Sequence, residues 1–270
     1  MNLLRIGWLT DAHYADIPDR GGRSFRASAI KLAEATEHFI RSKCDAVVQM
    51  GDLKDQDEPP DPARGAEDLS QAMRILQRYP GPLRHLMGNH EVDSLSKAEA
   101  LVILGDGRPP ESASWVLHLD GWTLLGLDAC FRPDGRDTER GNVNWTDATV
   151  PPSGLEWLDR TLDAAAGHVV LFCHQRLDIP DDARFAVRNA ADVRALIERS
   201  GRVRMVAQGH HHRHEIQRIG GIPYHTLPPM TGGPDPADTA FGILRLNPDG
   251  GGRIEILGRA PAAHAITGDT

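Results

Sequence analysis

The chain has 270 residues, 40% of them hydrophobic and 25% charged, and a formal net charge of -8. Those proportions are ordinary for a soluble globular protein, long enough to bury a large core in one α/β domain. The acidic balance argues against a surface that coats nucleic acid, but it leaves a phosphate substrate open, because bound cations can outweigh neighbouring carboxylates.

In chain order, residues 2 to 9 read as a strand that runs into Asp11-Ala12-His13. Residues 24 to 43 have a partly helical period, with Ser24 as a candidate cap. The apolar run 46 to 50 leads into Gly51-Asp52, and an acidic, proline-bearing loop follows. A helix through Leu69, Met73 and Leu76 comes next, and a strand over 83 to 87 then ends at Gly88-Asn89-His90-Glu91. This β-α-β-α-β alternation predicts a largely parallel sheet with covering helices. Runs 115 to 119 and 122 to 127 flank Asp120-Gly121, a hairpin signal. A Gly-, Asp- and Arg-bearing loop follows, then a helix over 153 to 166 and a strand over 169 to 173 that stops at His174. A helix over 190 to 200 and a strand over 203 to 207 precede Gly209-His210-His211-His212. Segments 216 to 227, 241 to 246 and 254 to 257 look antiparallel, joined by Gly-rich turns. The two halves suggest two sheets packed face to face with helices outside. One domain over 1 to 262 is expected, with 263 to 270 a disordered tail.

Five blocks of metal-binding residue types thus fall at strand ends, where ligands bind in α/β sheets. Carboxylates, imidazoles and one amide make a mixed oxygen and nitrogen set without thiolate, suited to Mn, Fe or Zn. Residues two apart at a strand end point the same way, which favours Asp11 with His13 and His210 with His212. On that argument His211 faces away. Asp52 has two carboxylate oxygens and follows Gly51, which permits close backbone approach. As lone residues, each of these would more often be structural. Cys44, Cys130 and Cys173 are few and widely spaced, which is not a disulfide framework.

The ordered set D-x-H, G-D, G-N-H-E, H and G-H-x-H resembles the calcineurin-like metallophosphoesterases over roughly residues 4 to 228. The resemblance implies a four-layer αββα sandwich of two mixed sheets with outer helices. It implies two divalent ions, Mn or Fe foremost and Zn as a further choice. Asp11, His13, Asp52 and His212 would hold one ion, and Asp52, Asn89, His174 and His210 the other. His90 matches the family's catalytic histidine, which is not a ligand and can donate a proton to a leaving oxygen. The ions would supply the nucleophile by lowering the pKa of bound water. Asp55 either orients this shell or is a surface acid.

Tyr14-Ala15-Asp16 with Arg23, Phe25, Arg26 and Ser28 is similar to the Mn-dependent ADP-ribose/CDP-alcohol diphosphatase branch. Arg23 and Arg26 then either meet phosphate oxygens or are solvated at a helix start. Tyr14 lies in the same segment. Trp145 and Phe131 either stack on a ring or pack their own loop. Gly51-Asp52-Leu53-Lys54-Asp55-Gln56-Asp57 lacks the Arg and Gly of the superfamily's protein phosphatases, which lowers that reading. The expectation is hydrolysis of a phosphodiester or diphosphate bond in a small, nucleotide-type phosphate ester. A phosphomonoesterase and a catalytically silent metal-binding scaffold are the alternatives. No signal peptide or membrane span is read, so a cytoplasmic location is expected, and the oligomeric state is left open.

Overall fold

The computed structural model describes residues 2–56, 58–105, 113–259 and 261–266. Strands β1 (Leu4–Leu9), β2 (Ala46–Gln49) and β3 (Leu83–His85) run parallel, with Ile6 opposite Ala46 and Val47 opposite Leu83. Between them lie helices α1 (Ala27–Arg41) and α2 (Pro62–Leu76). Helix α3 (Lys97–Leu104) follows β3, and β4 (Trp115–Leu119) and β5 (Trp122–Leu127) form the expected hairpin. Helix α4 (Pro152–Ala164), β6 (His168–Cys173), α5 (Ala190–Ser200) and β7 (Val203–Gln208) continue the parallel alternation. The hairpin of β8 (Glu215–Ile219) and β9 (Ile222–Thr226) closes the second sheet, in the order β4-β5-β6-β7-β9-β8. Strands β10 (Ala240–Leu246), β11 (Gly252–Gly258) and β12 (Ala262–Ala265) return to β1, so the first sheet runs β12-β11-β10-β1-β2-β3.

Three layers of burial make this the expected αββα sandwich. In β2, Ala46 and Val48 face the space between the sheets, while Val47 faces the helices. In β6, Val170 and Phe172 point inward, and Val169, Leu171 and Cys173 point outward. Burial on both faces is why these strands read as continuous apolar runs rather than alternating ones. Leu32, Phe39, Leu69, Met73 and Leu76 of α1 and α2 cover the first sheet. Leu158, Leu162, Val193 and Ile197 of α4 and α5 cover the second.

Three sequence expectations are corrected, and one helix was not anticipated. Helix α1 starts at Ala27, not Ser24: the Ser24 amide donates to Gly232 O, and Phe25 is buried against Ala15 and Ile17, which holds the segment as a loop. Helix α3 was not predicted, although Ser96 and Glu99 form a capping box that marks its start. Segment 216 to 227 is two strands, turned at Gly220-Gly221, both with positive φ. The expected tail from Ala263 instead enters β12, which pairs with β11 through Ile254 and His264, and Ile266 is fully buried. Residues 267 to 270 of that tail lie outside the described residues.

Candidate metal centre

Each block leaves its strand through a sharp turn. Asp11, His13, Asp52, His210 and His212 all have left-handed backbones, with φ between 49° and 65°. Among the described non-glycine residues only Lys43 shares this. Such a conformation is disfavoured for a side chain with a Cβ and persists where surrounding structure enforces it. The enforcing bonds run between blocks: Asp11 N donates to Gly51 O (3.1 Å), His13 N to Asp52 O (2.9 Å) and Gly209 N to His174 O (3.0 Å). Strand alternation therefore does not set the orientation of these residues. Both pairs stand past the last strand residue, on a turned backbone.

Glu91 binds the turns together. Its carboxylate accepts from the amides of Asp52 (2.9 Å), Leu53 (2.6 Å) and Gly88 (2.7 Å). Gly88 must be glycine, because a Cβ there would lie 2.2 Å from Asp52 Oδ1 and 2.4 Å from Asp52 N.

The side chains are then fixed by one atom and free at another. Asp11 Oδ2 accepts from Thr10 Oγ1 (2.7 Å) and His210 N (3.0 Å), while its Oδ1 has no hydrogen-bond partner. His174 Nδ1 donates to Met50 O (2.8 Å), leaving Nε2 without a partner. His13 Nδ1 meets Asp55 (2.9 Å), so its Nε2 faces His212 Nε2 at 2.9 Å. Asp52 Oδ1 accepts from His90 N (2.8 Å), and Oδ2 stands 3.2 Å from His174 Nε2 and 3.8 Å from His13 Nε2. Asn89 Oδ1 and His210 Nε2 are also buried without partners. A buried polar atom left unpaired costs about 1–3 kcal/mol. Four of them, one on the Asp11 carboxylate itself, in the residues gathered around Asp52 make an arrangement that a cation relieves.

Besides an overlapping group of His13, Asp55 and His90, two His/Asp clusters that share no residue are capable of coordinating metal ions. Asp11, His13 and His212 form one, and Asp52, His174 and His210 the other, with donor atoms in each within 4.8 Å of one another. Asn89, whose Oδ1 is buried without a partner, lines the same cavity as Asp52 and His210. The charges favour ligation by carboxylate. Burial opposes ionisation of Asp11, but His212 and His13 outweigh it and hold the acid well below the usual carboxylate range. For Asp52 the same burial is outweighed by His174 and His90. Burial, with His174 alongside, pushes His210 down to about 3, so its ring is a neutral donor.

His90 lies beside both clusters. Its ring packs edge-on against His13, with centroids 4.7 Å apart, and its Nδ1 is held by Asp93 Oδ2 at 2.8 Å. Burial lowers its pKa, yet Asp52, Asp93 and Asp55 outweigh that and raise it to about 9. A cavity of about 460 Å³ opens over His90, Asp52, Asn89, His210 and His212. Arg23 lines it, bonded to Asp55 at 2.6 Å and 3.5 Å from His90 Nε2. Trp145 lines the far wall with Phe185, 5.7 and 5.5 Å from the His210 ring.

Three of the remaining sequence candidates, Arg26, Tyr14 and Phe131, are not among the residues that line the cavity. Arg26 is exposed and pairs with Asp16 at 2.6 Å, because the start of α1 turns it outward. Tyr14 does not line the cavity; its backbone bonds Leu53 and its half-buried ring packs on the first helical core. Phe131 lies under the Lys97 ammonium, 3.6 Å from its centroid. Asp55 is buried, so the surface-acid alternative falls. His211 is bonded to buried Arg176, which also holds Asp178 and Glu215, yet it still lines the cavity, with its ring 4.2 Å from that of Phe185. Sequence reading missed Asp93, Phe185 and the bonding role of Glu91. Asp93, three residues after His90, was the readable one of these.

A family model described as calcineurin-like phosphoesterase matches residues 4–214, and the chain belongs to that family. Its fold and clusters support a metal-dependent hydrolase. Over 250 residues the chain is 23% identical to a probable cyclic nucleotide phosphodiesterase of Fibrobacter succinogenes, covering 91% of this chain and 87% of the relative. Over 142 residues it is 30% identical to the manganese-dependent ADP-ribose/CDP-alcohol diphosphatase of Arabidopsis thaliana, covering 46% and 44% of the two chains. A dimetal phosphatase from Danio rerio shares the fold with a TM-score of 0.78, at 20% identity and 98% coverage of each chain. No helix among the described residues is long and apolar enough to cross a membrane.

Proposed function

We propose that this chain is a dinuclear metal-dependent phosphohydrolase that cleaves a phosphodiester or diphosphate bond in a small, nucleotide-type substrate. The observation that carries this is the position of Asp52 Oδ2, between His174 of one cluster and His13 of the other. One carboxylate so placed can serve two ions at once. Asp11, His13, Asp52 and His212 would hold the first ion, and Asp52, Asn89, His174 and His210 the second. The donor set suits manganese or iron, with zinc also accommodated. Such ions, when bound, polarise the phosphoryl oxygens and lower the pKa of water to near neutrality.

The protein's own groups complete the reaction. His90 is tethered through Nδ1 to Asp93, which leaves Nε2 to give its proton to the departing oxygen. Arg23, close to that nitrogen, offers a guanidinium to a phosphate beside the scissile bond. Trp145 and Phe185 supply flat apolar surface for a base or sugar ring. The diesterase and diphosphatase named among the relatives support the same substrate class.

A screen of ADP-ribose, CDP-alcohols, cyclic nucleotides and sugar phosphates with manganese-loaded protein tests the reading. Turnover of diesters or diphosphates is expected, and turnover confined to monoesters would overturn it. Arg23→Ala should raise KM for a diphosphate about ten- to hundredfold, the size of a lost charge-assisted hydrogen bond of about 1.5–3 kcal/mol. The KM for bis(p-nitrophenyl) phosphate should change far less, since that diester has no remote phosphate. Arg26→Ala should leave both unchanged. Equal effects of the two substitutions would remove Arg23 from the site.

A further inference from the structure

A second group of histidines lies away from the metal centre. His214 immediately precedes β8, His225 is in β9 and His264 is in β12. The β8–β9 register sets Ile216 opposite His225, so His214, two residues earlier, is on the same face and diagonal to it. β12 is the edge strand of the other sheet, and packing of the two sheets brings His264 against this pair. The ring centroids are 5.2 Å (His214 to His225), 5.3 Å (His214 to His264) and 5.4 Å (His225 to His264) apart. One nitrogen from each lies within 4.8 Å of the other two.

Hydrogen bonding does not explain the arrangement. His225 is fully buried, and neither ring nitrogen has a partner. His264 Nε2 is buried and unpartnered as well. Three imidazoles with three orphaned nitrogens between them, in a corner where two sheets meet, lack a hydrogen-bonding account. Burial, with His214 and His264 beside it, lowers the His225 pKa to about 3, so the ring is neutral as ligation requires.

We propose that His214, His225 and His264 form a tri-histidine site for a zinc-type divalent ion, clipping the free edge of one sheet to the hairpin of the other. An all-imidazole set selects zinc, and related borderline ions, over manganese, which prefers oxygen. Zinc–nitrogen bonds of about 2.0–2.1 Å place tetrahedral donors about 3.3 Å apart, so from separations within 4.8 Å the rings need to close by at most about 1.5 Å. Exposed His214 has room to make that movement. Three protein ligands leave a fourth position, on the His214 side, for water.

The test is metal counting on full-length, chelator-stripped protein reloaded with zinc or with manganese. Wild type should hold one more zinc ion than H214A or H264A, and the same amount of manganese as H264A. Excess zinc should raise the melting temperature of wild type above that of either variant, because an ion bound only by the folded state stabilises it. His214 is exposed, so its truncation leaves the fold intact; His264 is remote in sequence from His212 and guards against damage to the main centre. Equal zinc contents in wild type and both variants would overturn the site. A matching loss of manganese in H264A would also overturn it, by tracing the missing ion to the other centre.

Discussion

Asp52→Ala is expected to release manganese from both clusters and to lower turnover by more than the about 10²–10⁴-fold that a lost general acid accounts for. Asp52 Oδ2 stands between the two clusters, and its Oδ1 fixes the His90 amide. Under the proposed bridging, removal would take one donor from each ion and loosen the loop that carries Asn89 and His90. The substitution should also leave His13 and His174 imidazoles crowded without the carboxylate that balances them. Equilibrium dialysis against manganese should fall from about two ions per chain to well below that in the variant. A variant that keeps both ions and the parent rate would refute the bridging role.

His90→Ala should behave differently. Its ring groups with His13 and Asp55 rather than with either of the two separate clusters, and its Nδ1 is held by Asp93, so the variant should retain its manganese while kcat falls about 10²–10⁴-fold. The size of the loss should depend on the leaving group. A p-nitrophenolate departs without much help from an acid, whereas a sugar or alcohol oxygen needs a proton. Rates for bis(p-nitrophenyl) phosphate should thus fall less than rates for an alkyl diester. Asp93→Asn should move both rates in the same direction by a smaller factor, since it frees the ring without removing it. If His90→Ala loses metal as readily as Asp52→Ala, or slows both substrates equally, His90 is not the proton donor.

The parts of this architecture that were legible in the sequence are those with short-range causes. Two-sided burial wrote β1, β2, β6 and β7 as apolar runs, and the chemical residues followed each run directly. The parts that were not legible depend on partners far along the chain. Arg23 and Arg26 look equivalent in sequence, yet Arg23 meets Asp55 across the cavity rim and Arg26 meets Asp16 outside it. Left-handed φ at Asp11 and His210 arises because their turns are bonded to other blocks, which no local propensity reports. β12 has only four residues and takes its stability from β11. Helix α3 was the avoidable miss, since its cap is local.

Each cluster draws on both sheets. Asp11 and His13 follow β1, whereas His212 follows β7; Asp52 follows β2, whereas His174 and His210 follow β6 and β7. Neither half of the chain can assemble a binding site alone. In refolding, high-affinity metal capture should therefore appear late, after the slow, long-range pairing that parallel strands require. A cation chelated by the unfolded chain, by contrast, would join histidines in non-native combinations and delay that step.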